Sequence, residues 1–321
     1  MGWHVDAWNP SYGTAFEGGA PPPESAPEVD AAVELAPSAW VPLDPSPAVR
    51  APDVVLLVDG VRRIDASLWS GEIGGRSYPA LAASYAAGVV RCDLLRGVAE
   101  VGAAPEIRRG LFTGAPGAED LVAGSVRYVA QHVDSDDPEK LPQAIQPRMT
   151  ELEILVSLAA GDADLLVVDG PLRGRRTPNT IGYVKTQRQP YLPASLIPVV
   201  MALMSGQRTP VFLRGTSWRS YSWYLRLPVA GGAPWAGVVR MECPADLTPQ
   251  QAIGLADLSL VTLPRFASTP YKDPRAPQNL IPIAGLERRL RGLLGDARLL
   301  HRHLTLAAAQ PASQSVRAVA N

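Results

Sequence analysis

The chain has 321 residues, of which 46% are apolar and 19% are charged, and its formal net charge is −1. This composition predicts a folded protein with one large core or two smaller ones. The chain's two cysteines, Cys92 and Cys243, are too few for a disulfide framework, and its four histidines include no HExxH pair, so we expect any metal to be bound through oxygen.

The sequence contains no signal that directs it to a membrane. No apolar run is long enough to cross a bilayer, and residues 1–20 lack the pattern of a secretory signal peptide. We therefore expect a soluble, cytoplasmic protein without membrane contact.

Charge and proline are unevenly distributed. Residues 1–50 carry seven acids, one arginine and nine of the 32 prolines, which leaves about +5 on the remainder. We predict an extended, acidic, proline-rich arm over residues 1–50, with Trp3, Trp8 and Trp40 as anchor points. Residues 51–304 would form the functional domain, and residues 305–321 a flexible tail.

The first predicted elements are strands. The valine- and leucine-rich run at 53–58 suits a strand buried on both faces. After Asp59-Gly60, the stretch VRRIDASLW alternates like the returning strand of a hairpin, and residues 84–93 supply a third strand.

Helical and strand patterns then alternate. We predict a helix from Arg148, strands at 163–168 and 181–187, a hairpin at 219–243 and an amphipathic helix at 286–304. This order predicts an α/β fold with a mixed β-sheet flanked by helices.

Two stretches, VVLLVDGVRR and LLVVDGPLRG, end an apolar run on Asp-Gly at Asp59 and Asp169. Asp-Gly is also the favoured centre of a tight turn, which is the simpler interpretation. The helix before the second strand brings Glu151 and Glu153 to the same neighbourhood. Converging carboxylates repel one another unless a cation or a shared proton neutralises them, and the ion that suits this set is Mg²⁺ or Mn²⁺.

Basic residues follow the second Asp-Gly step. Arg173, Arg175 and Arg176 come directly after it, and Lys185 and Arg188 lie on or just beyond the next strand. Guanidinium and ammonium groups suit a phosphate backbone, although a solvated surface loop explains the arginines equally well. Metal-bound carboxylates beside such groups indicate hydrolytic phosphoryl transfer.

The motifs LLVDG, RMTELE, LLVVDGPL and IGYVKT, in this order and spacing, resemble the NurA family of DNA-repair nucleases. The resemblance extends more loosely to the segment DPRAPQNLIPIAGLERRLR. It implies a ribonuclease H-like core and a Mn²⁺- or Mg²⁺-dependent nuclease of the 5′-to-3′ exonuclease and single-strand endonuclease type. It also implies action on DNA ends and single strands in double-strand break repair, as a homodimer partnered by a HerA-like hexameric ATPase.

The resemblance assigns roles to particular residues. Asp59 and Asp169 would bind metal, together with Glu153 or, as the alternative, Glu151. Lys185 would lie near the attacking water or the scissile phosphate.

The family often has a histidine in its last conserved helix, where this chain has Gly285 and Leu286. The fourth ligand is therefore open, with Asp257 and Asp273 as candidates. Asp273 capping a turn before Pro274 is the simpler explanation for that residue.

Two other functions stay open. A non-catalytic adaptor of the ATPase would explain the absent histidine. A sugar or acetate kinase-like protein would need glycine-rich phosphate loops, which the sequence after Asp59 does not provide.

The aromatic hairpin at 219–243 is either core or a surface for stacking single-stranded bases. Tyr221 and Trp223 share a face with leucines and are assigned to the core. Tyr224 and Arg226 point the other way and are the candidates for a ligand surface.

Overall fold

The computed structural model describes residues 28–309, apart from residues 72, 103, 187–190, 216–218 and 230–233. The chain is a mixed α/β protein in which a large mixed sheet is flanked by helices. The strands are β1 Glu28–Asp30, β2 Val54–Trp69, β3 Pro79–Asp93, β4 Val98–Val101, β5 Glu106–Thr113, β6 Leu121–Ala123, β7 Val126–His132, β8 Leu165–Asp169, β9 Thr180–Val184, β10 Phe212–Gly215, β11 Ser220–Arg226 and β12 Val238–Pro244. The α-helices are α1 Leu141–Ala159, α2 Ile197–Met201, α3 Pro249–Thr262, α4 Ile281–Leu293 and α5 Ala297–Ala308.

The chain divides into two compact units. The first contains the residues up to Val58, residues 90–100 and residues 162–285. The second contains residues 59–89, residues 101–161 and the residues from Leu286 onward. Strands β2 and β3 and helix α4 each contribute residues to both units.

The sheet of the first unit has the strand order β1-β10-β11-β12-β9-β8-β2. Neighbours are antiparallel from β1 to β9, whereas β9, β8 and β2 are parallel. Strands β11 and β12 pair from Ser220↔Pro244 to Arg226↔Val238, which confirms the predicted hairpin. The Gly231-Gly232 turn lies outside the described residues.

Strand β11 is buried on both faces. On one face the indole N–H of Trp223 donates to Ser259 Oγ of α3 at 3.0 Å. On the other face the ring of Tyr224 stacks on Phe212, with ring centroids 5.9 Å apart. The assignment of Tyr221 and Trp223 to the core is confirmed, but that of Tyr224 to a ligand surface is wrong, because a second layer of side chains covers its face.

Arg226 is also engaged within the protein. Its guanidinium donates to the carbonyl oxygens of Pro234, at 2.5 Å, and Met201, at 3.4 Å. It therefore closes the base of the hairpin rather than presenting a free charge.

The described half of the proline-rich segment belongs to the first unit. Trp40 is buried, as its predicted anchoring role requires, and its indole N–H donates to the Ala31 carbonyl at 2.9 Å. Buried Arg208 donates two hydrogen bonds of 2.8 Å to Glu34 and two, of 2.9 and 2.7 Å, to Asp257. The predicted arm over residues 1–27, with Trp3 and Trp8, lies outside the described residues.

In the second unit, the residues after Asp59-Gly60 do not return as a hairpin. Strand β2 continues without interruption to Trp69, and Gly60 does not have the positive φ that an Asp-Gly turn needs. The chain reverses after Trp69 instead, where Ser70 N–H donates to the Tyr78 carbonyl at 2.8 Å. The strand order continues β2-β3-β5-β7-β6, with β3 and β5 antiparallel and β5 and β7 parallel.

The helices depart from their predicted limits. The single helix predicted for 286–304 is two helices, α4 and α5, because Gly295 takes a φ of +82° and Asp296 caps α5 by accepting from Leu299 N–H at 2.8 Å. Helix α5 ends at Ala308, beyond the predicted start of the tail, and α1 begins at Leu141 rather than at Arg148. Among the described residues, no helix has both the length and the apolar character needed to cross a membrane.

A buried carboxylate fixes the interior of the second unit. Asp65 accepts hydrogen bonds from Ser84 Oγ at 2.5 Å and Tyr128 OH at 2.9 Å, and it forms an ion pair of 2.7 Å with Arg63. The same arginine donates to the carbonyls of Leu294 and Gly295, where α4 ends. Because each partner lies on a different element, Asp65 ties β2, β3 and β7 to the end of α4.

Tyr128→Phe removes one of these donors and keeps the ring, so we expect a loss of about 1–2 kcal/mol in the free energy of unfolding at pH 7. Burial, with the charge of Asp65, raises the pKa of Tyr128 from 10.0 to about 12. The stability that Tyr128 contributes is therefore complete below pH 10 and is lost as the pH rises towards 12.

Urea unfolding at pH 7 and between pH 9 and 11 measures both effects. The Phe variant should be less stable at pH 7 and lose less stability above pH 10 than the parent chain. Exposed Tyr271→Phe is the matched control and should change neither quantity. Equal stability of the parent and the Tyr128 variant would contradict the role given to this hydroxyl group.

Candidate functional site

Two parallel strands carry the aspartates of both Asp-Gly steps. In the first unit, β2 and β8 pair in register from Val55↔Leu165 to Val58↔Val168. Asp59 and Asp169 are the residues that directly follow this last pair. Successive residues on parallel neighbours stay at the same level of the sheet, so the two aspartates leave the ladder side by side. The prediction that the two apolar runs are strands of one sheet is confirmed.

Glu153, the third predicted ligand, belongs to the second unit with Asp59. The carboxylate of Asp59 accepts from Gly60 N–H at 2.7 Å, and both acids are buried. A Cβ atom placed on Gly60 would lie only 2.7 Å from Glu153 Oε1, so this carboxylate packs directly against the Gly60 backbone. Glu151 is exposed instead and pairs with Arg148 at 3.1 Å. Of the two alternatives, Glu153 is the buried one, and its role as a metal ligand stays a prediction.

A third carboxylate, on α4, completes a cluster that the sequence did not reveal. Asp59, Asp169 and Glu287 each offer one oxygen atom, and these atoms lie within 4.8 Å of one another. Glu287 directly follows Leu286, which occupies the region where the NurA resemblance led us to look for a histidine. One sequence signal was present, since Glu287 is a lone acid between the buried apolar residues Ile283 and Leu290 at helical spacing.

The ligand chemistry of this cluster, which we call the acidic triad, is restricted to oxygen. Carboxylates without histidine or cysteine suit Mg²⁺ and Mn²⁺ rather than zinc or copper. The three acids could hold one such ion, because a divalent cation offsets the repulsion between carboxylates at this spacing. Among the described residues, Glu153 is not a member of this cluster, so its role as a ligand stays a prediction.

The other two proposed ligands make different interactions. Asp257 accepts the charged hydrogen bonds of Arg208 described above. Asp273 accepts from Asn279 Nδ2 at 2.7 Å and pairs with Arg275 at 3.5 Å. Each of these carboxylates is thus neutralised by an arginine.

Lys185 is held beside Asp169 by a relay of hydrogen bonds in the first unit. Its ammonium group donates to Asp169 Oδ2 at 2.5 Å and to Asn279 Oδ1 at 2.7 Å. Asn279 is fully buried, and its amide is oriented by the bond to Asp273. Asp273 therefore fixes the position of Lys185 through Asn279.

Tyr183, two positions before Lys185 in the chain, is fully buried on β9. Burial, together with the charge of Asp169, raises the pKa of Tyr183 well above its ordinary value. Its hydroxyl group remains protonated at neutral pH and donates to the Gln278 carbonyl at 2.6 Å. This bond fixes the loop that carries Asn279.

The predicted arginines line a cavity of about 580 Å³ in the first unit. Arg175 is buried in its wall, whereas Arg176 is exposed and lies 3.9 Å from Asp246. Arg173 takes the left-handed conformation, with a φ of 50°, in the turn that leads into Gly174. The fourth predicted substrate contact, Arg188, lies outside the described residues.

Sequence reasoning missed the floor of this cavity, which β10 and β12 supply. Glu242 accepts from Arg240 at 2.7 Å, from Leu172 N–H at 2.6 Å and from Arg214 at 3.4 Å. Burial opposes the ionisation of Glu242, but the charge and hydrogen bond of Arg240 and the other donors hold its pKa below the ordinary value. Glu242 is therefore an ionised support for the arginines.

Gly60→Ala should displace Glu153, because the new Cβ would lie 2.7 Å from its Oε1 and 2.9 Å from Met149 Cγ. If Glu153 contributes to metal binding, we expect the affinity for Mn²⁺, measured by titration calorimetry, to fall about tenfold. Gly254→Ala in α3 is the control, since nothing lies within 4 Å of the position that its new Cβ would take, and it should leave the affinity unchanged. Equal Mn²⁺ affinity of parent chain and Gly60 variant would exclude Glu153 from the site.

Comparison with known proteins gives no family for the chain. No protein-family model matches it, and no curated protein matches it. Its function is therefore inferred from the placement of these side chains.

Proposed function

We propose that the protein is a divalent-metal-dependent DNA nuclease with a ribonuclease H-like core. The observation that carries the proposal is the register of β2 and β8, which brings Asp59 and Asp169 side by side after Val58↔Val168. The mixed pairing of the neighbouring strands supports the finer assignment of the fold.

Asp59, Asp169 and Glu287 would hold the cation, Mn²⁺ or Mg²⁺, with Glu153 as a further ligand. When bound, the ion activates water and stabilises the negative charge that develops on a phosphodiester during hydrolysis. The residues themselves orient the ion, since each lies on a regular element and is largely buried.

Lys185 supplies the positive charge that the proposed reaction needs beside the metal. Its ammonium group lies 2.5 Å from Asp169 Oδ2, and Asn279 fixes it from the other side. A cation in this position stabilises the charge on a scissile phosphate.

Asn279→Ala should lower kcat with little change in KM, because it loosens Lys185 without removing a substrate contact. Steady-state kinetics on a single-stranded oligonucleotide with Mn²⁺ measure both quantities. A parental kcat in this variant would contradict the positioning role given to Asn279.

The substrate class follows from the arginine cavity and from the NurA resemblance. Guanidinium groups recognise phosphate through paired hydrogen bonds, and three of them directly follow Asp169 in the chain. The resemblance supplies the finer proposals: 5′-to-3′ cleavage from DNA ends, cutting of single strands, a homodimer, and a HerA-like hexameric ATPase partner in break repair. We also propose that the protein is cytoplasmic.

The adaptor alternative drew its support from the histidine that is absent at Gly285-Leu286. Glu287 offers a carboxylate oxygen next to that position, so a metal ligand of another type is available. The nuclease assay described below therefore decides between the nuclease and the adaptor hypothesis.

The test is degradation of single-stranded DNA by the purified chain with Mn²⁺. Asp59→Asn and Asp169→Asn should each lower the rate at least ~100-fold, since loss of a ligand exceeds the loss of its supporting partners. Asp53→Asn is the control, because Asp53 is exposed, precedes the same strand and undergoes the same change in charge. Circular dichroism checks that each variant is folded.

The outcomes separate the hypotheses. Full activity in either Asp59→Asn or Asp169→Asn would remove the proposed site. A parent chain that cleaves nothing with any divalent ion, yet copurifies with a hexameric ATPase, would support the adaptor.

A further inference from the structure

We infer that the arginine cavity of the first unit binds the terminal phosphate monoester of a DNA strand. This inference rests on the proposed function for the identity of the strand, but binding to the cavity does not require cleavage. The cavity is lined by residues of the loop after β8 and of strands β10, β11 and β12.

Positive charge dominates the lining. Two acids, Glu242 and Asp246, face five arginines, which leaves an excess of three positive charges. The five arginines of the lining are Arg173, Arg175, Arg176, Arg214 and Arg219. An anion with more than one negative charge is the natural complement.

The acids of the lining do not supply that complement. Glu242 is shared with Arg240, which is buried beneath the cavity and takes the shorter bond of 2.7 Å, against 3.4 Å for Arg214. Burial, together with the charge of Arg240, lowers the pKa of Arg214. Glu242 therefore offsets the charge of Arg214 only in part, because it also pairs with Arg240.

Two buried hydrogen-bond donors lie in the lining. Within the part of the chain that the structure describes, Ser220 Oγ and Arg214 Nε have no hydrogen-bond partner. Ser220 is only 7% exposed. An unsatisfied buried donor is destabilising, and a phosphate oxygen is a strong acceptor for both O–H and N–H.

The size and charge of the cavity favour a terminal phosphate over an internal one. A volume of about 580 Å³ falls in the range of pockets that enclose small ligands, so a nucleotide fits. A monoester carries a charge of about −1.5 to −2 and three terminal oxygens, whereas an internal diester carries −1 and two. The monoester therefore satisfies more of the donors in the lining.

The ring of Tyr191 adds rigidity to this wall. Arg214 lies over the ring with its Cζ 4.5 Å from the centroid, and Arg240 lies 5.1 Å from it. Both guanidinium planes are therefore held before a ligand arrives, which lowers the entropy lost on binding.

The test measures binding of the full chain to fluorescent oligonucleotides in EDTA, so that no cleavage occurs. Three 12-mers of one sequence are compared by anisotropy: 5′-phosphorylated, 3′-phosphorylated and unphosphorylated. We expect one phosphorylated end to raise the affinity about tenfold, since the added hydrogen bonds are charge-assisted. Inorganic phosphate and a nucleoside monophosphate serve as competitors.

Arg219→Gln, Arg176→Gln and Ser220→Ala should each reduce the preference for the phosphorylated end. Arg265→Gln is the matched control, because Arg265 is an exposed arginine of the same unit that is not part of the lining. Asp59→Asn should abolish cleavage with Mn²⁺ yet keep the preference for the phosphorylated end.

Equal affinity for the three oligonucleotides would overturn the inference. It would also be overturned if the cavity variants kept the parental preference, or if free phosphate bound while the ends gave no preference. Failure of cleavage with an intact end preference would count against the nuclease alone.

Discussion

The parallel register of β2 and β8 is the constraint on which the candidate site depends. The ladder ends at Val58↔Val168, and the next residue on each strand is an aspartate. Two carboxylates at one edge of a sheet repel each other, and burial increases the cost. The surrounding chain offsets that cost on one side with Lys185 bonded to Asp169. On the other side it adds the carboxylate of Glu287. A divalent cation bound among three carboxylates would offset this repulsion, which is why we propose a metal site here.

The sequence predicted the strand pair but not the path of the chain through the first Asp-Gly step. Both steps have the same two residues, yet Gly60 continues a strand and Gly170, with a φ of +110°, leaves one. Asp-Gly permits a turn without requiring it, and β2 continues because its later residues have partners in the second unit. Likewise, the alternation of apolar and polar residues in β11 predicted one solvent-exposed face. Side chains cover both faces of this strand, so Tyr224 belongs to the core. Local patterns do not show how many layers pack on a strand.

The sequence predicted those residues of the candidate site that lie in recognisable local motifs. Asp59 and Asp169 follow from strand ends and Lys185 from the NurA resemblance, whereas Glu287 and Asn279 depend on the placement of a distant helix and loop. Asn279 is more than 90 positions from Lys185 and bonds to it at 2.7 Å. Nothing in a single sequence indicates such a pair, because hydrogen-bond partners far apart in the chain are set by the tertiary fold.

The acidic triad and the arginine cavity carry opposite charges, and this difference bears on the class of ligand that we propose. The acidic triad could hold a cation, and the arginine cavity, formed in part by the loop after Asp169, could hold an anion with several acceptor oxygens. A small phosphorylated metabolite could satisfy the cavity alone, and a free divalent ion could satisfy the triad alone. A polymer of phosphates would suit both under the proposed function, because it carries a terminal group for the arginines and phosphodiesters for the metal. Lys185 is bonded to Asp169 and Asn279 and is not part of the cavity lining, so in this proposal it would act on the reacting phosphate, whereas the arginines would hold the end of the strand.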